Sequence, residues 1–220
     1  MTKCLAIDTS TRRFCLGVKN GSDYFDIPIE KTTDHAKGIF KKIDHVLNLA
    51  DLSMQDLDFL AVGIGPGRFS GLRVSISAIK SISYVLKKPI VAISSLEFIA
   101  REIMYQNDAS RILLIEDAGR NNLYLGSYAF EDQKFIRIAN DQLMHTEEIN
   151  IQKTEGLIVG SGIKRYPEMK IDSNSVLVQS GEEYLNSITM IDHALEEFNK
   201  GNTIDWMNLK PNYLFNEVAS

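Results

Sequence analysis

The sequence predicts an α/β protein in which three consecutive strands precede alternating helices and strands. Short apolar runs bounded by turn residues indicate the strands. The Asn20-Gly21 pair between the second and third runs is typical of a hairpin turn, so the first strands form a meander. Apolar residues recurring at helical spacing then indicate helices between the later strands. The predicted strands of this first part cover residues 4–7, 14–18, 24–29, 57–63 and 89–93.

Three predicted helices separate or follow these strands. The first comes after the capping residues Thr32, Thr33 and Asp34 and has its apolar residues between 36 and 50. The second covers residues 70–86, and the third covers 96–105 after the Ser94-Ser95 cap. The resulting order, βββαβαβα, is that of the ribonuclease-H-like core which actin-like ATPases use in each of their two lobes. We therefore predict an actin-like ATPase (ASKHA) fold.

The second half of the chain predicts a shortened copy of the first. A short helix at 146–149 and a longer one at 182–199 accompany its strands. No linker rich in Pro, Gly or Ser separates the halves, so we predict two packed lobes, residues 1–106 and 107–220, the second abbreviated. The predicted strands of the second lobe are residues 112–116, 123–130, 134–139, 156–160 and 175–178.

Composition excludes several classes of function. The net charge is −5, from 24 basic and 29 acidic residues, so nucleic-acid binding would need a local basic patch or a partner. No apolar run approaches membrane-spanning length, and the first apolar run is too short, and too soon followed by Asp8, for a signal peptide. Two cysteines, Cys4 and Cys15, fit reduced, buried thiols. We expect a cytoplasmic protein without a membrane contact.

The most distinctive stretch is a glycine-rich turn between the strand at 57–63 and the helix that follows. Backbone N–H groups at such a helix start can hold an anion, which would make the turn a phosphate cradle. However, no Lys follows Gly71, and the glycine spacing does not fit a dinucleotide fingerprint. The alternative is a structural strand–helix turn. The residues of this predicted structural turn are Gly65, Pro66, Gly67, Arg68 and Gly71.

A second candidate site follows the first strand. In actin-like ATPases an acidic residue at this strand end helps to place metal-bound phosphate, and the alternative is a self-capped turn. A nuclease of the ribonuclease H type would need further strand-end carboxylates, whereas the later strands end in Gly63 and Ser94. The four histidines show no metal-binding spacing. The candidate cofactor-binding residues are Asp8, Thr9, Ser10, Gly65 and Gly67.

The helix at 70–86 is unusually short of charge. Arg73 and Lys80 are the charged residues within it, and its other positions are mostly apolar or small. A helix of this composition is covered on more than one side. One side packs on its own sheet, and the side with Ser77, Ser81 and Tyr84 favours an interface with another helix. An internal position in a large core is the alternative.

Three motifs carry a resemblance to a known family: residues 5–10 (LAIDTS), 65–73 (GPGRFSGLR) and 89–96 (PIVAISSL). Weaker matches lie at 117–120 with Tyr124, and at 211–214. Together they resemble the TsaB (YeaZ) family, and the match runs over most of the chain. The first helix starts with His35-Ala36-Lys37 where the family usually has His-Ser-Glu, and Gly119 and Asn122 replace an Arg and a Glu.

The resemblance implies a non-catalytic relative of TsaD, the catalytic subunit that makes N6-threonylcarbamoyladenosine in tRNA. TsaD carries a metal-binding His-x-x-x-His pair, and the corresponding positions here are Ser95 and Ile99. The chain would then use no metal and no cofactor. It would bind TsaD as a heterodimer, act with TsaE, form homodimers when alone, and meet tRNA only through the complex.

The dimer surface that the resemblance implies corresponds to the helices at 35–50 and 70–86. The predicted partner-binding residues are His35, Ile39, Phe40, Ile43, Arg73, Ser77, Lys80, Ser81 and Tyr84. The alternative function is an actin-like nucleotide-binding enzyme that uses Asp8 and the turn at 65–71. That enzyme needs a phosphate loop in the second lobe, and neither 117–120 nor 160–162 supplies a convincing one. A metalloprotease would need a histidine pair, which the sequence lacks.

Overall fold

A computed structural model describes residues 1–29, 35–132, 134–152, 156–172 and 176–214. The chain divides into two compact units. The first comprises Met1–Phe98 with Leu185–Asn212, and the second comprises Ile99–Tyr184 with Tyr213–Ser220. Within the described ranges, no helix has both the length and the apolar character needed to cross a membrane.

The first unit is built on a five-stranded sheet. Its strands are β1 (Lys3–Asp8), β2 (Cys15–Asn20), β3 (Asp23–Asp26), β4 (Phe59–Gly63) and β5 (Ile90–Ile93). They lie in the order β3-β2-β1-β4-β5, in which β1, β2 and β3 pair antiparallel while β1, β4 and β5 pair parallel. This is the predicted ribonuclease-H-like arrangement. Every residue of β4 is buried, which explains why this strand is a continuous apolar run in the sequence.

Three helices follow the strands of this sheet: α1 (Ile39–Leu49), α2 (Phe69–Leu86) and α3 (Ser95–Gln106). Helix α1 begins later than predicted, because Gly38 stands before it with a left-handed φ of 75°. The predicted capping residues Thr32, Thr33 and Asp34 lie outside the described residues. Cys4 and Cys15 are buried free thiols, and they do not face each other, since Cys4 lies opposite Lys19.

The second unit repeats the strand order of the first. Its strands are β6 (Arg111–Gly119), β7 (Asn122–Glu131), β8 (Lys134–His145), β9 (Asn150–Gln152), β10 (Leu157–Val159), β11 (Lys170–Asp172) and β12 (Val176–Leu177). Five of them form the sheet β12-β10-β6-β7-β8, and β9 pairs with β11 separately. Helix α4 (Ser161–Arg165) has five residues where α2 has 18, which is the abbreviation that the sequence predicted.

The last helix, α5 (Ser187–Asn199), belongs to the first unit. Its Phe198 ring stacks on Phe59 of β4 with the ring centroids 4.2 Å apart. Gly17 of β2 lets the helix approach closely, because a Cβ there would lie 2.8 Å from the Ser187 Cβ. The sequence predicted this helix in the second lobe, residues 107–220, and that prediction was wrong. An amphipathic pattern shows that a helix has an apolar face, but not which sheet the face covers.

Candidate functional site

The two sequence motifs meet at one edge of the first sheet. Because β1, β4 and β5 are parallel neighbours, their carboxyl ends lie side by side. Asp8 ends β1, the glycine turn follows β4, and Ser95 begins α3 just after β5. The structure therefore brings together Asp8, Thr9 and Ser10 with the turn at 65–71, which are the residues that the sequence singled out as candidates for phosphate binding.

The carboxylate of Asp8 is fully buried and is held by its own surroundings. One oxygen, Oδ1, accepts hydrogen bonds from the Ser10 backbone N at 2.8 Å and the Ser10 Oγ at 2.7 Å. The other, Oδ2, accepts from the Ser95 Oγ at 2.6 Å, and that hydroxyl accepts in turn from the Gly65 N at 3.0 Å. Burial raises the pKa of Asp8, and the hydrogen bonds from Ser95 and Ser10 oppose this rise.

The glycines leave room for protein atoms of the β1 end. A Cβ on Gly63 would lie 1.7 Å from the Asp8 Oδ2, and one on Gly71 would lie 1.9 Å from the Thr9 carbonyl oxygen. A Cβ on Gly67 would lie 2.5 Å from the Ser10 carbonyl oxygen. Each glycine leaves space because it lacks a side chain. Atoms of Asp8, Thr9 and Ser10 already fill that space.

Hydrogen bonds hold the turn against the same loop. The Arg68 N donates to the Ser10 carbonyl oxygen at 2.7 Å. The Thr9 Oγ1 donates to the Gly71 carbonyl oxygen at 2.7 Å and accepts from the Ser75 N at 3.3 Å. The N–H groups of Gly65 and Arg68 and the Thr9 hydroxyl, which a phosphate cradle would aim at a ligand, are thus engaged within the protein. This geometry favours the structural interpretation of the turn over the cofactor-binding one.

Within the part of the chain that the structure describes, no three His, Cys, Asp or Glu side chains come together as a metal site. Ser95 and Ile99, which the resemblance matches to the histidine pair of TsaD, are both buried, with exposed fractions of 1% and 2%. Ser95 binds Asp8 rather than pointing into open space.

Helices α1 and α2 form a second candidate site, an exposed surface with a shallow depression that we call the α1–α2 groove. Along α2, residues Arg73, Ser77, Ser81 and Tyr84 are exposed on one face. The groove has a volume of about 330 Å³. The residues that line it are Ala36, Ile39, Phe40, Arg73, Val74, Ser77, Ala78 and Ser81.

Not all of the predicted partner-binding residues lie on this surface. Ile43 is fully buried against the first sheet, so it supports α1 from below and offers no surface to a partner. His35 is also buried, and its Nε2 donates to the Thr11 carbonyl oxygen at 2.9 Å. Lys80 is half-buried. The amphipathic pattern of α1 identified its apolar residues, but most of those cover the protein's own core.

One polar cluster was missed by the sequence analysis. Glu116 lies near the end of β6, the strand with the same place in the second sheet as β1 has in the first. It accepts hydrogen bonds from the Ser161 Oγ and the Gly181 N, and burial raises its pKa. The stretch at 117–120, in contrast, comprises the last three residues of β6 and the first residue of the turn into β7. The two turn residues, Arg120 and Asn121, have left-handed φ values of 55° and 57°. The position of an acidic residue at the end of a predicted first strand could have pointed to Glu116.

The comparisons with known proteins agree with this architecture. Residues 27–197 match the family model described as TsaD: tRNA N6-adenosine threonylcarbamoyltransferase. The chain belongs to the TsaD family. The predicted resemblance to TsaB within that family is also confirmed.

The similarity to TsaB proteins runs over nearly the whole chain. The tRNA threonylcarbamoyladenosine biosynthesis protein TsaB of Escherichia coli (strain K12) is 26% identical over an alignment of 227 positions. This alignment covers 99% of this chain and 96% of that protein. TsaB of Haemophilus influenzae is 27% identical, with 98% and 94% covered. The solved structure of YeaZ from Pseudomonas aeruginosa covers 97% of this chain and all of its own, with a TM-score of 0.86 and 21% identity, and it supports the fold.

Proposed function

We propose that this chain is a non-catalytic subunit of the machinery that makes N6-threonylcarbamoyladenosine in tRNA, and that it binds and supports TsaD together with TsaE. The observation that carries the proposal is the exposed apolar surface of α1 and α2. The names of the TsaB relatives support a role in tRNA modification, and the exposed surface supports a role in binding a partner protein.

The exposure of this surface costs solvation free energy that a partner would recover. Phe40 of α1 is 47% exposed, and Phe69 and Tyr84 of α2 are 54% and 53% exposed. Completely burying a side chain of this size stabilises an assembly by about 1.5–3 kcal/mol. Arg73 already lies over the Phe69 ring, 3.7 Å from its centroid, and arginine and aromatic side chains are enriched in interfaces. Exposed apolar patches of this kind mark protein–protein contacts.

The other candidate site supports a role without catalysis of its own. Asp8, the acidic residue that an actin-like ATPase would use near phosphate, has both carboxylate oxygens bound by Ser10 and Ser95. Ser95 and Ile99 stand where TsaD would carry its metal-binding histidines. The glycine turn then sets the path from β4 into α2, and thereby positions the helix that a partner contacts.

The same surface serves two assemblies in this proposal. TsaD, which is related in fold, would cover the α1–α2 groove in the heterodimer, and a second copy of this chain would cover it when TsaD is missing. Competition between the two follows, because both would bury Phe40 and the exposed face of α2.

The proposal is tested by mixing the purified chain with its cognate TsaD and measuring complex formation by size exclusion and calorimetry. We expect Phe40→Lys to weaken pairing by at least about tenfold, since it places a charge in an apolar contact. Ile188→Lys is the matched control, because Ile188 is 41% exposed on α5 and lies outside this surface. No heterodimer at micromolar concentration, or equal pairing by both variants, would contradict the proposal.

Reconstituted tRNA modification, with and without this chain, tests its contribution to the reaction. Calorimetry of the isolated chain with ATP and Mg²⁺ tests the alternative of a nucleotide-binding enzyme. Tight binding accompanied by turnover would contradict a non-catalytic role.

A further inference from the structure

A second cavity of the first unit, of about 400 Å³, lies between the end of α2 and the segment that follows α5. We call it the Trp206 pocket. Its walls include Lys87, Lys88 and Pro89 on one side and Thr203, Asp205 and Trp206 on the other. None of its lining residues lines the α1–α2 groove. The volume falls within the range of small-molecule sites.

Backbone pairing builds this pocket. Ile204 exchanges two hydrogen bonds with Ile90 of the edge strand β5, at 2.9 Å and 2.8 Å. The Ser83 Oγ donates to the Lys88 carbonyl oxygen at 2.7 Å, which fixes the chain as it leaves α2. The two walls are therefore held by hydrogen bonds to backbone groups, and the side chains that line the pocket project from a fixed backbone.

The pocket carries a local positive charge on a protein that is acidic as a whole. Among the described residues, neither the Lys87 nor the Lys88 ammonium forms an ion pair; Lys87 instead lies over the Tyr84 ring, 4.5 Å from its centroid. Asp205 is the acidic lining residue, and its Oδ1 is turned toward the backbone N–H groups of Met207 and Asn208, at 2.8 Å and 2.9 Å. Lys88 also interacts electrostatically with Asp56, whose pKa is lowered mainly by hydrogen bonds from Ser53 and further by this lysine. Because neither lysine forms a direct ion pair among the described residues, both ammonium groups can still bind an anion.

An indole ring stands beside these ammonium groups. Trp206 is half-buried, and Tyr84 packs edge-on against it with the ring centroids 5.0 Å apart. Such packing holds the indole in one orientation. An aromatic ring on which a base can stack, next to lysines that can bind phosphate, is the combination with which proteins bind single-stranded nucleic acid.

From this juxtaposition we infer that the Trp206 pocket binds a nucleotide unit, with the base stacked on Trp206 and a phosphate held by Lys87 and Lys88. The nucleotide could belong to RNA or be free, and the chemistry of recognition is the same. The RNA source rests on the proposed function in tRNA modification, and it differs from the expectation that the chain meets tRNA only through the complex, since the contact would be direct. For a chain with a net charge of −5, contact with RNA requires a local basic patch of this kind.

Trp206 is the single tryptophan of the sequence, so intrinsic fluorescence reports directly on the pocket. The test is a fluorescence titration of the full chain with a short single-stranded RNA, with AMP and with ATP, each at several salt concentrations. We expect quenching of Trp206 that saturates. The double variant Lys87→Asn, Lys88→Gln should weaken RNA binding by about tenfold. It should also reduce the salt slope by about 0.7, because the two lysines together neutralise one phosphate.

Asn is chosen at position 87 because Lys87 has a left-handed φ of 54°, which Asn tolerates. The matched control is Lys134→Gln, Lys170→Gln, which removes two exposed lysines elsewhere and should leave binding unchanged. Far-UV circular dichroism checks that both double variants fold.

Tighter binding of RNA than of AMP or ATP would assign the pocket to RNA, and equal or tighter binding of AMP or ATP would assign it to a free nucleotide. No quenching by any of the three, or the same affinity and salt slope in the Lys87→Asn, Lys88→Gln variant, would overturn the inference. Pairing with TsaD is measured separately, so a failure of the proposed function would be distinguishable from a failure of this one.

Discussion

Replacing Gly71 by alanine tests whether the glycine turn exists for close packing inside the protein. Gly71 is the third residue of α2, where an alanine would ordinarily stabilise a helix by about 0.5–1 kcal/mol. Here the new Cβ would lie 1.9 Å from the Thr9 carbonyl oxygen, which is a backbone atom that cannot swing away. The helix start or the loop after β1 must therefore move by roughly 1 Å to restore a normal contact.

The cost of that movement can be worked out from the contacts involved. Overpacking of a tight site destabilises a protein by about 1–3 kcal/mol. The displacement also stretches the 2.7 Å hydrogen bond from the Thr9 Oγ1 to the Gly71 carbonyl oxygen, a buried bond whose removal costs about 1 kcal/mol. After subtraction of the helical gain, we expect Gly71→Ala to lower the free energy of unfolding by about 1–3.5 kcal/mol.

Urea unfolding followed by circular dichroism and Trp206 fluorescence measures this decrease. The control is Gly38→Ala, because a Cβ on Gly38 meets no described atom within 4 Å but the residue has a left-handed φ of 75°. Its expected destabilisation is only the conformational penalty, about 1–2 kcal/mol. If Gly71→Ala unfolds at the same urea concentration as the wild type, or at a higher one, the glycine is not required for close packing and the reasoning is refuted.

Two further predictions test Asp8 and the docking of α5. Burial raises the pKa of Asp8 in the folded state. From about pH 4 upward, the unfolded state has therefore released the proton of this carboxyl group while the folded state still retains it. The contribution of Asp8 to the free energy of unfolding consequently falls as the pH rises. We expect the urea midpoint of Asp8→Asn, minus that of the wild type, to increase between about pH 4 and pH 7, because Asn does not titrate. If this difference stays constant with pH, the raised pKa of Asp8 is contradicted. Gly17→Ala should lower stability by about 1–3 kcal/mol in thermal melts, because its Cβ would meet Ser187 at 2.8 Å; an unchanged melt would argue against the packing of α5 on β2.

Much of the architecture could be predicted from the sequence because the relevant patterns are local. The order of the elements, the hairpin after Asn20 and the helix after the glycine turn follow from apolar periodicity and turn residues. The motifs at 5–10, 65–73 and 89–96 together indicated the TsaB family. The presence of a second, shortened sheet followed from the same patterns, since five short apolar runs recur in the second half.

The assignment of side chains to a core or to a surface could not be predicted in the same way. Ile43 and Phe40 lie on the same short helix, yet one is fully buried and the other is 47% exposed. Both are large and apolar, so only the position of the sheet beneath α1 distinguishes them. The Trp206 pocket likewise depends on the pairing of Ile204 with Ile90, which lie far apart in the sequence.

The amino-acid sequence was enough to establish the fold class, the family and the residues of the turn that joins β4 to α2. The folded chain was needed to show what that turn does. The glycines could have served a phosphate or a neighbouring backbone, because both uses need the same absence of a side chain. Only the packing of the β1 end against them, with Thr9 and Ser10 filling the space, favours the second use. The same applies to α5, whose apolar face is visible in the sequence but whose place on the first sheet comes from contacts between distant residues.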